Sequence, residues 1–404
     1  MTFPHFIQIH TLTSYPAALL NRDDSGMAKR MPFGGTARTR ISSQSRKRHW
    51  RFAGESTHEA AALVPYSLQS LGLPMGDRSR EIVERAILPN ALSNMPAPHP
   101  QVQTSVSEAL LTALYGDKAV DPKKRQALFF GRPEVDYLIT VAREMLELGS
   151  QRLGSLAHDK APDTAEIKAL DAVLKEHLKD LRKNLRALIG GAGLESALFG
   201  RMVTSDQASN KEAPVQVAHS LTIHACEREL DFATAVDDLR NRDPEASTGS
   251  AGMFDIELTS GVYYGYVNVD VNMLVDNLEG DIDMAGKVIG RLLQLIARVS
   301  PGAKKGSTAP FSYAEWLMVE SGDGQPRTLA NAFRKAVPLR GANNDVFGNA
   351  MHALQLHLHQ LDGAYGQETQ RAQMSVTPPA LDGFAPQSLA DVQAWVQASM
   401  TTSV

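Results

Sequence analysis

A single cysteine, Cys226, is all the thiol the chain carries, which excludes an internal disulfide and a cysteine-based zinc site. No apolar run approaches the roughly 20 residues of a membrane-spanning helix. The opening Met1-Thr2-Phe3-Pro4-His5-Phe6-Ile7 lacks the basic stretch and apolar core of a signal peptide. A reducing cytoplasm is therefore the expected setting, with no membrane partner. Phosphate-binding P-loops, nucleophile elbows and dinucleotide fingerprints are missing too, so no catalytic residue, metal or cofactor is expected. Wholesale disorder is excluded by composition. Of the 404 residues 43% are hydrophobic and 21% charged, enough for a large core in one to three domains.

The most informative absence is one of acids. A net charge of −4, taken whole, argues against a nucleic-acid binder. Yet no Asp or Glu occurs between Lys29 and Arg51, while Lys29, Arg30, Arg38, Arg40, Arg46, Lys47, Arg48 and Arg51 fall within those 23 residues. Even mixing would place about 2.3 basic and about 2.6 acidic residues in such a window. An acidic chain that gathers positive charge in this way has a local anion site.

Along the chain, Phe6-Ile7-Gln8-Ile9-His10-Thr11-Leu12 alternates like a half-buried strand that Pro16 ends. Arg38-Thr39-Arg40-Ile41 reads as a short second strand, and Ser42-Ser43 as the cap of a helix running to about Phe52. From about Ala60 to Ile189 the pattern is helical. The stripe Ile167, Leu170, Leu174, Leu178, Leu181, Leu185 and Leu188 predicts one helix, with Lys168, Lys175, Lys179, Arg182 and Arg186 along another face. Gly190-Gly191-Ala192-Gly193 closes this block. Residues 215–223 alternate as a strand, with Arg201-Met202-Val203-Thr204 as antiparallel partner across a long polar tip, 205–213. A second hairpin is predicted from 254–258 and 262–269 around a Ser260-Gly261 turn, followed by a helix over 285–299 and a strand over 316–319. Helices over 329–336, 349–361 and 389–400 complete the chain. This order suits an α+β fold with an antiparallel sheet, of which the β-α-β-β-α-β arrangement of RNA-recognition domains is the simplest version.

Chemistry concentrates in 38–51. A helix N-terminus binds phosphate readily, and Ser42, Ser43, Ser45 and Gln44 add side-chain donors to it. Lys47 and Arg51 lie at i, i+4 with Arg48 beside them, and Gly34-Gly35 lets backbone approach a sugar-phosphate chain closely. Such a set positions phosphates without reading bases. A solvated basic helix face behind an ordinary serine cap is the plain alternative. A ribbon with so long a polar tip cannot stand alone. Met202 on it either wedges against an unstacked base or lies in the core beside Val203. His352, His357 and His359 do not have the spacing of a helical zinc hydrolase. Asp23-Asp24 and Asp237-Asp238 read as caps or ion pairs, with a cation site or general base as the alternative.

Several of these stretches together resemble the backbone subunit of the type I-E CRISPR surveillance complex, Cascade. They are Asn21-Arg22-Asp23-Asp24, Phe33-Gly34-Gly35, Arg40-Ile41-Ser42-Ser43-Gln44-Ser45 with Lys47-Arg48, Gly200-Arg201-Met202 and Phe232-Ala233-Thr234-Ala235-Val236-Asp237-Asp238-Leu239. Ser260-Gly261-Val262-Tyr263-Tyr264, Pro301-Gly302-Ala303-Lys304 and Leu329-Ala330-Asn331-Ala332-Phe333 continue the match. The resemblance implies the shape of a right hand, with an RNA-recognition-type palm in 1–59 and 225–404, helical fingers in 60–198 and a hairpin thumb in 199–224. It implies several copies stacked along one CRISPR RNA. Lys29, Arg40, Ser42, Gln44, Lys47, Arg48 and Arg51 would hold the guide's sugar-phosphate backbone, with Asn21, Arg22, Gly34, Gly35 and Ser43 in the same track and Arg201, Met202 and Thr204 on the thumb. Each thumb would displace one base, leaving the others free to pair with a target DNA strand, the division of labour of RNA-guided effectors generally. Lys168, Lys175, Lys179, Arg182 and Arg186 would attract that DNA. Other Cascade subunits and a recruited or associated nuclease are implied partners, and the subunit itself is implied to be no enzyme. The rivals are a metal-dependent endoribonuclease on the same fold using Asp23 or Asp24, and a standalone RNA-binding module.

Overall fold

The computed structural model describes residues 3–53, 65–93, 95–153, 160–188, 193–203, 206–236, 250–339 and 345–401. Thr204, the tail Asp237-Asp238-Leu239 of one motif, Gly190-Gly191-Ala192 and the expected helical start at Ala60 lie outside these residues. Two units are distinguished. One comprises 1–71, 215–275 and 281–404, and the other 72–214 with 276–280.

The strands are β1 Phe6–Ala18, β2 Arg30–Phe33, β3 Thr36–Ile41, β4 Gly76–Ser79, β5 Leu128–Gly131, β6 Val215–Val217, β7 Ser220–Thr222, β8 Arg228–Val236, β9 Ser250–Asp270, β10 Trp316–Gly322 and β11 Thr369–Ser375. All but β4 and β5 belong to the first unit and form one antiparallel sheet. Its order is β11-β10-β1-β9-β7-β3-β2, with β6 and β8 also pairing on β9. Helices accompany the sheet in the same unit, so the α+β class holds.

Strand β1 is not half-buried. It is central, paired with β10 (Leu12 opposite Trp316) and with β9 (Leu12 opposite Tyr264), and both its faces are covered. Opposed residues point to the same side, so Leu12, Trp316 and Tyr264 share one face. There they pack with Phe333, Phe347, Met351, Leu354 and Leu358 from the turn Ala330–Phe333 and the helix Val346–Tyr365. Ile9, Val319 and Val267 share the opposite face and are as fully buried. Gln8 and His10 tolerate burial because each has partners. The Tyr266 hydroxyl donates to Gln8 Oε1 at 2.8 Å, and His10 Nδ1 lies 2.8 Å from the Tyr264 hydroxyl. Pro16 does not end the strand either. Pairing slips between Tyr15 and Ala18, Ala17 takes a positive φ of 42°, and the ladder resumes with Ala18 opposite Thr259.

Ser260-Gly261 is not a turn. β9 runs unbroken for 21 residues because it serves two partners in succession, β8 along its first half and β1 along its second. Gly261 is there for space, since a Cβ on it would stand 2.7 Å from His224 Nε2, the atom that accepts the Val262 N–H at 3.2 Å. The expected pairing of 201–204 with 215–223 is likewise replaced. Residues 215–223 divide into β6 and β7, which join β9 (Val215 opposite Val269, Leu221 opposite Tyr264), so their alternation reflects a place in the main sheet. Arg201 instead exchanges backbone hydrogen bonds of 2.9 and 3.0 Å with Lys211. The expected helix over 329–336 is a single short turn, Ala330–Phe333.

The second unit is mainly helical. Helices Pro100–Tyr115, Arg132–Arg152 and Thr164–His177 bury Leu110, Leu138, Met145, Leu170 and Leu174 in one core beside the β4–β5 pair. The stripe expected to form one helix forms two, Thr164–His177 and Leu181–Ala187, with a turn at 178–180. Leu170, Leu174 and Leu181 are all buried across the break, which is why the periodicity does not betray it. No helix among the described residues is long and apolar enough to cross a membrane.

Candidate nucleic-acid interface

Strands β2 and β3 form a hairpin with Phe33 opposite Thr36, leaving Gly34-Gly35 as a two-residue turn. Both glycines have positive φ, 60° and 82°, as the tight turn favoured in twisted hairpins requires. They are otherwise unlike. A Cβ on Gly34 would lie 1.6 Å from the Arg334 carbonyl oxygen, whereas a Cβ on Gly35 would meet nothing within 4 Å. The close approach expected toward a ligand is, at Gly34, an approach to the chain's own backbone. Gly35→Ala is expected to cost about 1–2 kcal/mol through its backbone conformation alone. Gly34→Ala should cost at least about 2 kcal/mol more, because the 333–334 segment must move. Urea unfolding of both variants tests this, and equal costs would refute the packing role of Gly34.

Ser42 caps the helix Ser43–Arg51, its Oγ accepting the Ser45 N–H at 3.2 Å, as the sequence predicts. The cap is itself held by Asn21, whose Oδ1 accepts the Ser42 N–H at 2.9 Å, and the Asn21 carbonyl accepts from Lys29 N at 2.8 Å. Asn21 therefore ties the loop to the helix start. Asp23 has a similar task. Its Oδ1 accepts the N–H groups of Ser25 and Met27, each at 3.0 Å, and so folds the turn that precedes Ala28, while Arg22 and Asp24 are exposed. Among the described residues no group of three or more His, Cys, Asp or Glu is placed to hold a metal ion.

The eight basic residues of the acid-free window divide by direction. Arg38 is 0% exposed and donates to Thr36 Oγ1 at 2.9 Å, the Thr222 carbonyl at 3.0 Å and the Phe333 carbonyl at 2.9 Å. Arg46 is buried too. It donates to Ser220 Oγ at 2.8 Å and lies 4.9 Å from the Trp50 ring centre, and burial lowers its guanidinium to about 10. Gly265 makes room for it, since a Cβ there would stand 2.6 Å from Arg46 Nη1. Arg30 pairs with the buried Glu257, whose other oxygen accepts the Ala28 N–H at 2.6 Å. Arg51 is buried against Phe52. These four build the scaffold.

Lys29, Arg40, Lys47 and Arg48 are half-buried or exposed, alongside Ser43 and Gln44 of the first helical turn. Among the described residues no carboxylate lies within 4 Å of Lys29, Arg40 or Arg48. Two histidines lie beside these charges. His219 Nδ1 accepts from Arg40 Nη1 at 2.9 Å, and burial, with Arg40 and Lys29, holds its imidazole below the ordinary range. His49 donates Nδ1–H to the Ser45 carbonyl at 2.7 Å and accepts the Gly302 N–H at 3.4 Å. Burial, with Lys305 and Arg48, lowers it as well. Lys305, which shares Gly302 as a neighbour with His49, adds to the cationic face, and His219 supplies an acceptor for Arg40; neither is singled out by the sequence. Only the neighbouring Pro301-Gly302-Ala303-Lys304 motif could have pointed to Lys305.

In the second unit the expected residues are mostly engaged internally. Arg201, half-buried, turns its guanidinium inward and donates to the buried Glu134 at 2.5 Å, although it was expected to face RNA. Met202 is 71% exposed while Val203 is buried, which settles the local alternative against a core position for Met202. Arg182 donates twice to the Ala113 carbonyl, at 3.2 and 3.0 Å, Arg186 pairs with Asp206, and Lys179 pairs with Glu176 at 3.1 Å. Lys168 and Lys175 are exposed. Two of the five residues of the expected basic stripe, Lys179 and Arg186, are thus ion-paired within the chain, and Arg182 is tied to a backbone carbonyl.

Residues 7–399 match the family described as CT1975-like protein. The fold is similar to that of a chain from a "CRISPR RNA-guided surveillance complex, pre-nicking", with a TM-score of 0.74 and 24% identity over 98% of this chain and 100% of that one. It is similar also to a chain from a "CRISPR RNA-guided surveillance complex", with a TM-score of 0.56 and 20% identity over 98% and 99% of the two chains. No curated protein matches the sequence.

Proposed function

Because the chain belongs to the CT1975-like protein family, we propose that it is the guide-RNA-binding backbone subunit of a type I-E CRISPR surveillance complex in the cytoplasm. In this role several copies line up on one CRISPR RNA and present its bases to a target DNA strand. The observation that carries the proposal is the cationic face of the first unit, where Lys29, Arg40 and Arg48 have no carboxylate within 4 Å among the described residues, beside the N-terminus of the Ser43–Arg51 helix. A protein of net charge −4 keeps cations unpaired where they meet an anion, and a phosphate chain supplies one at regular intervals. The sheet of the first unit serves as the RNA-recognition-type palm, the helical second unit as the fingers, and the segment around the exposed Met202 as the thumb. The subunit is proposed to catalyse nothing itself. Of Asp23 and Asp24, either of which a ribonuclease reading would use, Asp23 has one carboxylate oxygen given to two backbone N–H groups. Destruction of the target is left to an associated nuclease.

Co-expression with a repeat–spacer transcript tests the assignment. The protein should purify as a multimer whose mass grows stepwise with guide length and whose RNA is protected from ribonuclease. A protein equally assembled without RNA and indifferent to added transcript would overturn it.

A further inference from the structure

Two exposed aromatic rings lie next to the cationic face and are used by nothing described above. Phe311 is 72% exposed and Tyr313 62% exposed. Their positions are held firmly. Ser300 Oγ donates to the Ser312 carbonyl at 2.8 Å and accepts the Ser312 N–H at 3.0 Å, while Ala314 donates to the Ala297 carbonyl at 2.8 Å. Pro310 and Ala314 on either side are buried. Ala309 takes a left-handed φ of 38°, and the Phe311 N–H bonds back to its carbonyl at 2.7 Å. A loop that only needed solubility would not turn two large rings outward from so fixed a backbone.

The surroundings decide what the rings meet. Tyr313 lies against Arg298, whose guanidinium is 5.7 Å from its ring centre and 5.3 Å from that of Tyr66. Pro310 packs on Gly302, its Cγ 2.7 Å from where a Cβ would stand, and Gly302 bonds to His49 of the cationic helix. Phe311 is the next residue. From Arg298 to Ala314 the chain carries Arg298, Lys304 and Lys305 and no acid, a second acid-free stretch in an acidic protein. Rings set among cations that have no carboxylate partner among the described residues match single-stranded nucleic acid, in which bases offer π-faces and phosphates offer charge.

We propose that Phe311 and Tyr313 are a base-stacking platform for single-stranded RNA whose phosphates lie along Arg48 and Lys305. The proposal rests on the guide-binding role above and adds to it a contact with bases, one that tolerates any sequence because every base can stack. The platform makes affinity depend on the presence of bases, whereas the cations make it depend on salt.

The test uses the full-length protein with a fluorescently labelled single-stranded RNA and with a strand of equal length built of abasic ribose phosphates. Phe311→Ala with Tyr313→Ala is expected to weaken binding of the intact RNA roughly tenfold and to leave the salt dependence unchanged. On the abasic strand the same variant should bind like the unmodified protein. Phe311→Trp with Tyr313→Trp should retain affinity for the intact strand. Because both rings are exposed, the melting temperature should not move. Equal losses on both strands, or no loss on either, would refute the platform, as would unchanged RNA affinity combined with failure to multimerise, which would assign the rings to a protein contact. If the unmodified protein bound the intact strand without salt dependence, the guide-binding role would fall with it. Salt-dependent binding that ignores the alanines would remove the platform alone.

Discussion

Replacing Arg40 and Arg48 together by glutamate is expected to weaken binding of single-stranded RNA on the order of 100-fold at about 0.1 M salt. Each phosphate contact on a single strand contributes about 0.7 to the slope of log affinity against log salt, or about fivefold at that concentration. Two lost contacts give about 25-fold, and reversing rather than removing the charge adds repulsion. The slope itself should fall by about 1.4, and by the same amount for every guide sequence, because phosphates carry no sequence. Neither residue has a carboxylate partner among the described residues to be left stranded, so folding should be little affected. Titrations between 50 and 200 mM salt measure both quantities. An unchanged slope would place the RNA elsewhere on the molecule.

That experiment needs Arg40 and Arg48 rather than Arg38 and Arg46, and the distinction shows how far a sequence can be read. Arg38 and Arg40 have the same parity on β3, so alternation alone gives them one direction. What separates them is the segment around Phe333, 295 positions away, whose carbonyl accepts from Arg38 and covers it. Composition locates the charge, but a distant stretch of chain decides which cations are scaffold. Features fixed within one turn are legible. The Ser42 cap and the helix behind it follow from residues 42–51 alone. Gly34-Gly35 is legible as a turn, but not as a point of contact with Arg334.

The misread elements share a physical cause. Ser260-Gly261 has the composition of a turn, yet Gly261 answers to the ring of His224. Strand β11 is not legible in the sequence because Thr369-Gln370-Arg371-Ala372-Gln373-Met374-Ser375 has little apolar content. It is nevertheless inside, since Gln373 accepts from Trp316 Nε1 at 3.1 Å and donates to the Leu381 and Phe384 carbonyls. Period-based reasoning assumes that buried means apolar, and this sheet buries polar groups in pairs.

The largest of these polar clusters gives the second strong prediction, that Glu320→Gln destabilises the first unit by about 3–5 kcal/mol. Glu320, on β10, is fully buried. It accepts from Arg327 at 2.7 and 3.1 Å, from Arg371 Nε at 2.8 Å, from Thr369 Oγ1 at 2.9 Å and from His10 Nε2 at 3.2 Å. Arg371 also holds Asp362 through two bonds of 2.6 Å. The tyrosine hydroxyl at Nδ1 and the carboxylate at Nε2 suit a neutral His10 protonated on Nε2, and burial keeps its imidazole below the ordinary range. Two carboxylates then balance two guanidiniums. Glutamine preserves the shape but removes one charge, leaving two arginines to share Asp362 and turning an amide N–H toward a donor. Burial by itself would raise the Glu320 carboxyl, but the His10 bond and the Arg327 charge overcome it and hold the group far below the carboxylate range. The native state therefore binds fewer protons than the unfolded state at both groups, so stability rises with pH. It should fall first below about pH 6.5, where an unfolded His10 takes up a proton, and again below about pH 4.3, where an unfolded Glu320 does. The glutamine variant should lose the second decline at this site and keep the first. Urea unfolding from pH 8 down to about pH 2.5 reads both. Adding Arg371→Met to Glu320→Gln should recover part of the loss, because it removes a stranded charge, and RNA affinity of the folded fraction should be unaltered throughout. A cost below about 1 kcal/mol for Glu320→Gln would mean that the charges inside this sheet are already neutralised by proton uptake, and that its burial of polar groups contributes nothing to the frame on which the cationic face is built.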